Sequence, residues 1–226
     1  MWQPQTVLLV LWDVDGTLVD SAGHGRDAFV EAFEAVVGRP PDRVEFAGRT
    51  DHEIALAMLS GERDRLPRLL QELAAALEAR KDAMRREGHA YPGVPETLAA
   101  LHDRDGVVQS LLTGNIEANA ALKVGAFGLE RWLDFEVGAY GSDPHEKRSE
   151  LVAVARERAA AKYGEPAAAV LVGDTPLDVR AAQDAGARAV AVATGFAELD
   201  ALRASGPDVL LPDLRDTGAA VEAILG

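Results

Sequence analysis

The sequence predicts an α/β fold, a parallel sheet with helices on both faces, interrupted early by a helical insert. Five short apolar runs have the unbroken hydrophobicity of strands buried on both sides. Stretches with helical spacing separate most of them, the alternation that builds strand–helix–strand units. Between Asp20 and Tyr91 only helical spacing occurs, with no good strand pattern.

The first run, 6–12, is apolar and ends in acid, which reads as a strand rather than a signal peptide, since no basic segment precedes it. His24–Val37 then places Phe29, Ala32, Phe33, Val36 and Val37 on one side of a helix. A second helix is expected over 51–60, with Asp51 as N-cap and Ile54, Leu56 and Leu59 as its apolar positions. A third, over 66–86, is rich in the strong helix formers Leu, Ala, Arg and Glu. Tyr91-Pro92-Gly93-Val94-Pro95 punctuates the return to the sheet. The remaining strands are expected at 107–112, 168–172, 187–193 and Val209–Leu211. There is no internal repeat, and the short alanine runs suit packing rather than a low-complexity tail.

Composition narrows the function classes. The 226 residues suit one large domain or a core with a small insert. Lys and Arg total 23 against 37 Asp and Glu, a net charge of −14. Such a chain is repelled by nucleic acid and by anionic membrane unless it carries a local basic patch. An anionic substrate must therefore be drawn in by a few placed cations or a metal. The absence of cysteine removes disulfides, thiolate chemistry and Cys-based zinc sites. No stretch reaches bilayer-spanning length, and the cytoplasm is the expected location.

In open α/β sheets the ligand lies at the carboxyl ends of the strands. Strand one ends Asp13-Val14-Asp15-Gly16-Thr17. Two carboxylates so close repel unless a cation or a shared proton relieves them. Together they can act as a nucleophile and a general acid/base. A helix N-cap or exposed turn is the plain alternative. The second expected strand end carries Thr113-Gly114-Asn115 before a helix near Ile116, which makes either an anion site or an ordinary cap. A third carries Gly173-Asp174-Thr175-Pro176-Leu177-Asp178, with Thr175 as candidate N-cap. There Asp174 would complete an oxygen-rich Mg²⁺ site with Asp13, with Asp178 orienting Asp174 or a bound water; that both acids simply favour the helix dipole is the plain alternative. His145-Glu146-Lys147-Arg148 opens a further helix, and Lys147 or Arg148 can offset the charge of a phosphoryl group. Matching polar groups at three strand ends outweigh capping as the explanation.

In this order the motifs resemble those of the haloacid dehalogenase-like superfamily, over nearly the whole chain. Asp13-Val14-Asp15-Gly16-Thr17 is similar to the first family motif, Thr113-Gly114-Asn115 to the second, Lys147/Arg148 to the third, and Gly173-Asp174 with Asp178 to the fourth. The similarity is strongest to phosphoglycolate-phosphatase-like and β-phosphoglucomutase-like members. It implies a Rossmann-like three-layer core over 1–20 and 92–226, with an α-helical cap over 21–91. It implies Asp13 as nucleophile and Asp15 as acid then base. Mg²⁺ would be held by the Asp13 carboxylate, the Asp15 carbonyl and Asp174. Thr113, Gly114 and Asn115 would hold the phosphoryl group, and Gly16 would allow close backbone approach.

The third motif departs from the family pattern, because Pro144 precedes the basic pair rather than following a Lys. Helix register through Arg148-Ser149-Glu150-Leu151 favours Arg148 over Lys147. Phe46-Ala47-Gly48-Arg49-Thr50-Asp51 resembles the family's specificity loop, with Arg49 as reader of an anionic leaving group. His24 and His52 are weaker candidates. Asp15 favours a phosphatase over a dehalogenase, because a phosphoester leaving group gains from an acid and halide does not. The expected activity is Mg²⁺-dependent hydrolysis of a small phosphorylated metabolite. A phosphomutase, or an idle binding module of the same fold, is the alternative.

Overall fold

The computed structural model describes residues 7–46, 49–144, 147–195 and 197–226. Thr6 of the first expected strand, Ala47 and Gly48 of the expected specificity loop, and His145 and Glu146 lie outside the described residues. Strands β1 (Val7–Trp12), β2 (Val19–Asp20), β3 (His89–Ala90), β4 (Val107–Leu111), β5 (Pro166–Gly173), β6 (Arg188–Val192) and β7 (Val209–Leu211) form two sheets. The main sheet is five-stranded, in the order β4-β1-β5-β6-β7. Its strand pairs are all parallel.

Side chains alternate across this sheet with a period of two. Val10 and Trp12 of β1 face one layer, where Leu98 and Leu101 of α5 (Val94–His102) and Ile224 of α10 (Thr217–Leu225) pack. Leu9 and Leu11 face the other, against Leu151, Val152 and Ala155 of α7 (Arg148–Tyr163) and Val179 and Ala182 of α8 (Pro176–Asp184). The double burial explains why β1 is apolar at every position. The pairing continues beyond β1, because the Asp13 amide donates to the Val172 carbonyl at 2.9 Å. The carboxyl end of the strand is thereby held in line with its neighbours.

The chain between β2 and β3 folds into α1 (His24–Val37), α2 (Asp51–Met58), α3 (Leu66–Ala79) and α4 (Lys81–Glu87). These helices carry an apolar cluster of their own, including Phe29, Phe33, Ile54, Leu69, Leu73 and Leu77. Two local expectations are corrected. Asp51 is the first residue of α2, and the N-cap is Thr50, which forms a reciprocal capping box with Glu53. The single helix expected over 66–86 is two helices, broken at Arg80, whose guanidinium meets Glu31 at 3.1 Å and Asp27 at 3.4 Å on α1. Helix-favouring composition carries no mark of that break, and a tertiary ion pair holds the residue at it. The two-residue antiparallel ladder of β2 and β3, which closes the insert at its base, is too short to leave a strand pattern.

Candidate active site

Asp13 leaves the end of β1 with 8% of its surface exposed, and Asp174, just past β5, is fully buried. Gly16 takes a positive φ of 87°, and a Cβ there would run into the Asp174 carboxylate. Gly195, after β6, closes on the same carboxylate from another strand end, and sequence reasoning missed it. Thr17 donates its hydroxyl proton to Asp174 at 3.1 Å. Gly16 is not among the described residues lining the cavity below, so its close approach is to Asp174.

Asp13, Asp174 and Asp178 each offer a carboxylate oxygen, and these oxygens lie within 4.8 Å of one another. Asp178 thus belongs to the same cluster as the other two. It also joins Thr175 in a capping box at the start of α8, so capping and clustering coexist in one side chain. The Arg148 guanidinium, on the first residue of α7, donates to Asp13 at 3.0 Å and to Asp178 at 2.6 Å. Lys147, one residue earlier, is exposed and is not among the residues lining the cavity.

The electrostatics follow from this crowding. Burial, then Asp178, raise the Asp13 carboxyl pKa to about 8 although Arg148 pulls it down; Asp174 and Asp15 add to the rise. Burial opposes the charge on Arg148, yet Asp178 and Asp13 hold its pKa above the ordinary value. Among the described residues, three buried carboxylates meet one guanidinium, an excess of negative charge. Oxygen-only donors at this spacing fit a hard divalent cation, whose charge would replace the proton on Asp13.

Asp15 points its carboxylate elsewhere. Its Oδ2 accepts from Asn115 Nδ2 at 2.8 Å and from Lys123 Nζ at 2.6 Å, and the same Nζ donates to Asn115 Oδ1 at 2.7 Å. Lys123 stands on α6 (Glu117–Ala126) and is 5% exposed. Sequence reasoning missed it, although a lysine two turns into the helix after Asn115 and on its buried side is a readable signal. Thr113 and Asn115 are buried, with the Thr113 hydroxyl accepting from the Asn115 amide and side chain.

Neither Thr113 nor Asn115 caps α6. Its N-cap is Ile116, without a side-chain cap of its own, and the cap comes from the insert. Asp51 accepts from the Ile116 amide at 2.8 Å and from Asn119 at 3.2 Å, while the Asp51 amide donates to the Gly114 carbonyl at 2.8 Å. A Cβ on Gly114 would stand 2.9 Å from the Arg49 carbonyl, so glycine lets the insert lie directly on this loop. Burial lifts the Asp51 carboxyl to about 6 against the pull of Lys123 and the Ile116 amide; Asp15 adds to the rise, and Asn119 opposes it.

A cavity of about 470 Å³ lies between insert and sheet. Its floor includes Asp13, Asp15, Thr113, Gly114, Asn115 and Arg148, and Arg49 lines the insert side. Arg49 faces Glu45 at 3.9 Å with both side chains well exposed. His24 pairs with Glu87 of α4 at 3.0 Å, and neither His24 nor His52 is among the residues lining the cavity. The floor unites a buried carboxylate, a second carboxylate beside an ammonium and an amide, a hydroxyl and a guanidinium. Such a set can bind a phosphoryl group and attack it.

Residues 7–186 match the family model described as haloacid dehalogenase-like hydrolase. The phosphoglycolate phosphatase of Synechococcus elongatus is 33% identical over 233 residues, covering 96% of this chain and 98% of that protein. The crystal structure of CbbY from Rhodobacter sphaeroides in complex with phosphate has a TM-score of 0.73 at 21% identity, covering 96% of this chain and all (100%) of the other. The β-phosphoglucomutase of Clostridium difficile gives 0.72 at 14% identity, covering 97% and 98%. These two likenesses concern the fold. The family match spans most of the chain, and with it the chain belongs to the haloacid dehalogenase-like hydrolases, as a phosphatase.

Proposed function

We propose that the protein is a Mg²⁺-dependent phosphatase that hydrolyses a small phosphate monoester through an aspartyl-phosphate. The observation that carries this reading is the Asp13 carboxylate, buried at the cavity floor within reach of Asp174, Asp178 and Arg148. Asp13 attacks phosphorus in line, and the bond from phosphorus to the leaving oxygen breaks. Asp15 gives its proton to that oxygen. It then takes a proton from the water that attacks the phosphorus of the intermediate, which releases phosphate and restores Asp13.

Lys123 and Asn115 orient the Asp15 carboxylate for both transfers. Thr113, Gly114 and Asn115 hold the phosphoryl group, and Arg148 offsets the charge between it and Asp13. Asp13, Asp174 and the Asp15 carbonyl would hold Mg²⁺ with Asp178 beside them, and the ion neutralises phosphoryl oxygens when bound. The helical insert, 21–91, acts as a cap over the core formed by 1–20 and 92–226. Arg49 lies on the leaving-group side of the cavity, where its fork suits a carboxylate or a second phosphate.

The test is Asp13→Asn. An amide cannot form the acyl phosphate and is a poor metal ligand, so turnover should vanish while the melting curve stays cooperative. Acid quenching with ³²P-labelled substrate should trap label on the wild-type protein only. Turnover of the variant near the wild-type rate sinks the assignment. A requirement for a bisphosphate activator would select the phosphomutase alternative.

A further inference from the structure

In the sheet β5 lies between β1 and β6, so Asp174, just past the end of β5, is flanked by the loops that leave both neighbours. Gly16 on the first loop and Gly195 on the second close on its carboxylate. A Cβ on either glycine would run into Asp174 Oδ2. The two loops also meet each other, since a Cβ on Gly195 would stand only 2.7 Å from Gly16 Cα. Gly16 has a positive φ as a further reason to be glycine. Gly195 lies outside the left-handed region, so there space alone excludes a side chain. Asp174 is fully buried and cannot swing into solvent to make room.

Hydrogen bonds fix the same assembly. Thr194 donates its hydroxyl proton to the Gly16 carbonyl at 2.7 Å, joining the two loops across 178 positions of sequence. The Gly16 amide donates to the Val19 carbonyl at 3.1 Å. In a trans peptide the carbonyl points opposite to the N–H, so the Asp15 carbonyl faces away from Val19. The peptide groups on both sides of Gly16 are thereby held, one by Val19 and one by Thr194. The loop after β6 is anchored in turn, because the Ala193 amide donates to the Leu211 carbonyl of β7 at 2.9 Å.

Thr194 and Gly195 are not among the residues lining the cavity, so whatever they do for the site passes through Asp174 and the turn at Gly16. Both elements carry groups assigned above to Mg²⁺. Ligands fixed before the ion arrives bind it more tightly, because less ordering remains to be done on binding. Groups standing behind the ligands are worth about 10–100-fold in metal affinity.

Taking as given that Asp13, Asp174 and the Asp15 carbonyl hold Mg²⁺, we propose that Thr194 and Gly195 are positioning residues for the ion. Gly195 confines the Asp174 carboxylate, and the Thr194 hydroxyl holds the turn that presents the Asp15 carbonyl. The loop after β6 is thus a third strand end that sets Mg²⁺ affinity.

The test is calorimetric titration of the substrate-free protein with Mg²⁺, with metal-free melting curves recorded in parallel. Thr194→Val is close in shape but lacks the donor, and its Kd should rise about tenfold. Thr194→Ser keeps the hydroxyl and should return Kd close to the wild-type value. Gly195→Ala forces Asp174 aside and should raise Kd about 100-fold. A role in folding alone would lower the metal-free Tm and leave the Kd of the folded protein unchanged.

A wild-type Kd in Thr194→Val, or in folded Gly195→Ala, overturns the inference and leaves the metal reading standing. Thr194→Ser binding as weakly as Thr194→Val also overturns it, because the hydroxyl would then not be the cause. A wild-type protein that binds no Mg²⁺ overturns the metal reading and the inference with it. The Thr194 pair decides the matter even if Gly195→Ala does not fold.

Discussion

Replacing Asp51 by Asn should change how stability depends on pH more than it changes the fold. The wild-type carboxyl is buried against α6 and titrates near pH 6 instead of 3.8. At 1.36 kcal/mol per unit, that rise corresponds to about 3 kcal/mol between the two protonation states. The folded state favours the protonated acid, so the contribution of Asp51 is fully present below pH 3.8 and is lost as pH rises through about 6. Asn has no proton to lose and keeps an oxygen for the Ile116 amide. The stability difference, variant minus wild type, should therefore increase with pH. By linkage, about half of the effect, roughly 1–2 kcal/mol, lies between about pH 5 and 7.5. For a chain of this length that is roughly 3–6 °C in Tm. Lys123 and Asp15, the charged groups that act on Asp51 from the core, are the same in both proteins, and taking the difference cancels most of their own titration. The assay is urea unfolding of both proteins at four pH values across this window. A difference that stays constant with pH would refute the assignment of the raised carboxyl to Asp51.

Mg²⁺ at about 100 times its Kd should stabilise the wild type by about 2.7 kcal/mol, or roughly 5–10 °C in Tm. That shift should grow from pH 6 to 8 as the ion displaces the proton from Asp13, and Asp174→Ala should abolish it; an equal shift in the variant counts against the site. Arg148→Ala should lower kcat by about 10²–10³ at saturating Mg²⁺, the range for removal of one charge-stabilising donor. Lys147→Ala should stay within twofold of wild type, and the reverse ranking would move the role to Lys147. Lys123→Met should lose about 1–3 kcal/mol of stability, less than a fully buried pair, because the Asp15 side chain is 32% exposed. A double-mutant cycle with Asp15→Asn that returns no coupling would show that the two groups act independently.

Hydrophobic burial is repeated along each strand, so the sheet was legible in the chain itself. All five parallel strands were found to within a residue or two. The insert was legible as the long interval without a strand. The carboxylates at the strand ends could be placed as well, because pairing beyond β1 carries Asp13 in register with its neighbours. Contacts between segments distant in sequence leave no such repeat. Arg148 and Lys147 are adjacent and chemically alike, and only the start of α7 beside β1 turns one of them to Asp13. Lys123 joins Asp15 across 108 positions, and Gly195 reaches Asp174 from the end of another strand. The break at Arg80 and the cap on α6 supplied by Asp51 depend in the same way on a partner from elsewhere in the fold. Local periodicity determined what each segment is. The close approach of segments, with the charge balance and burial it creates, decided which side chains meet and what their protons do.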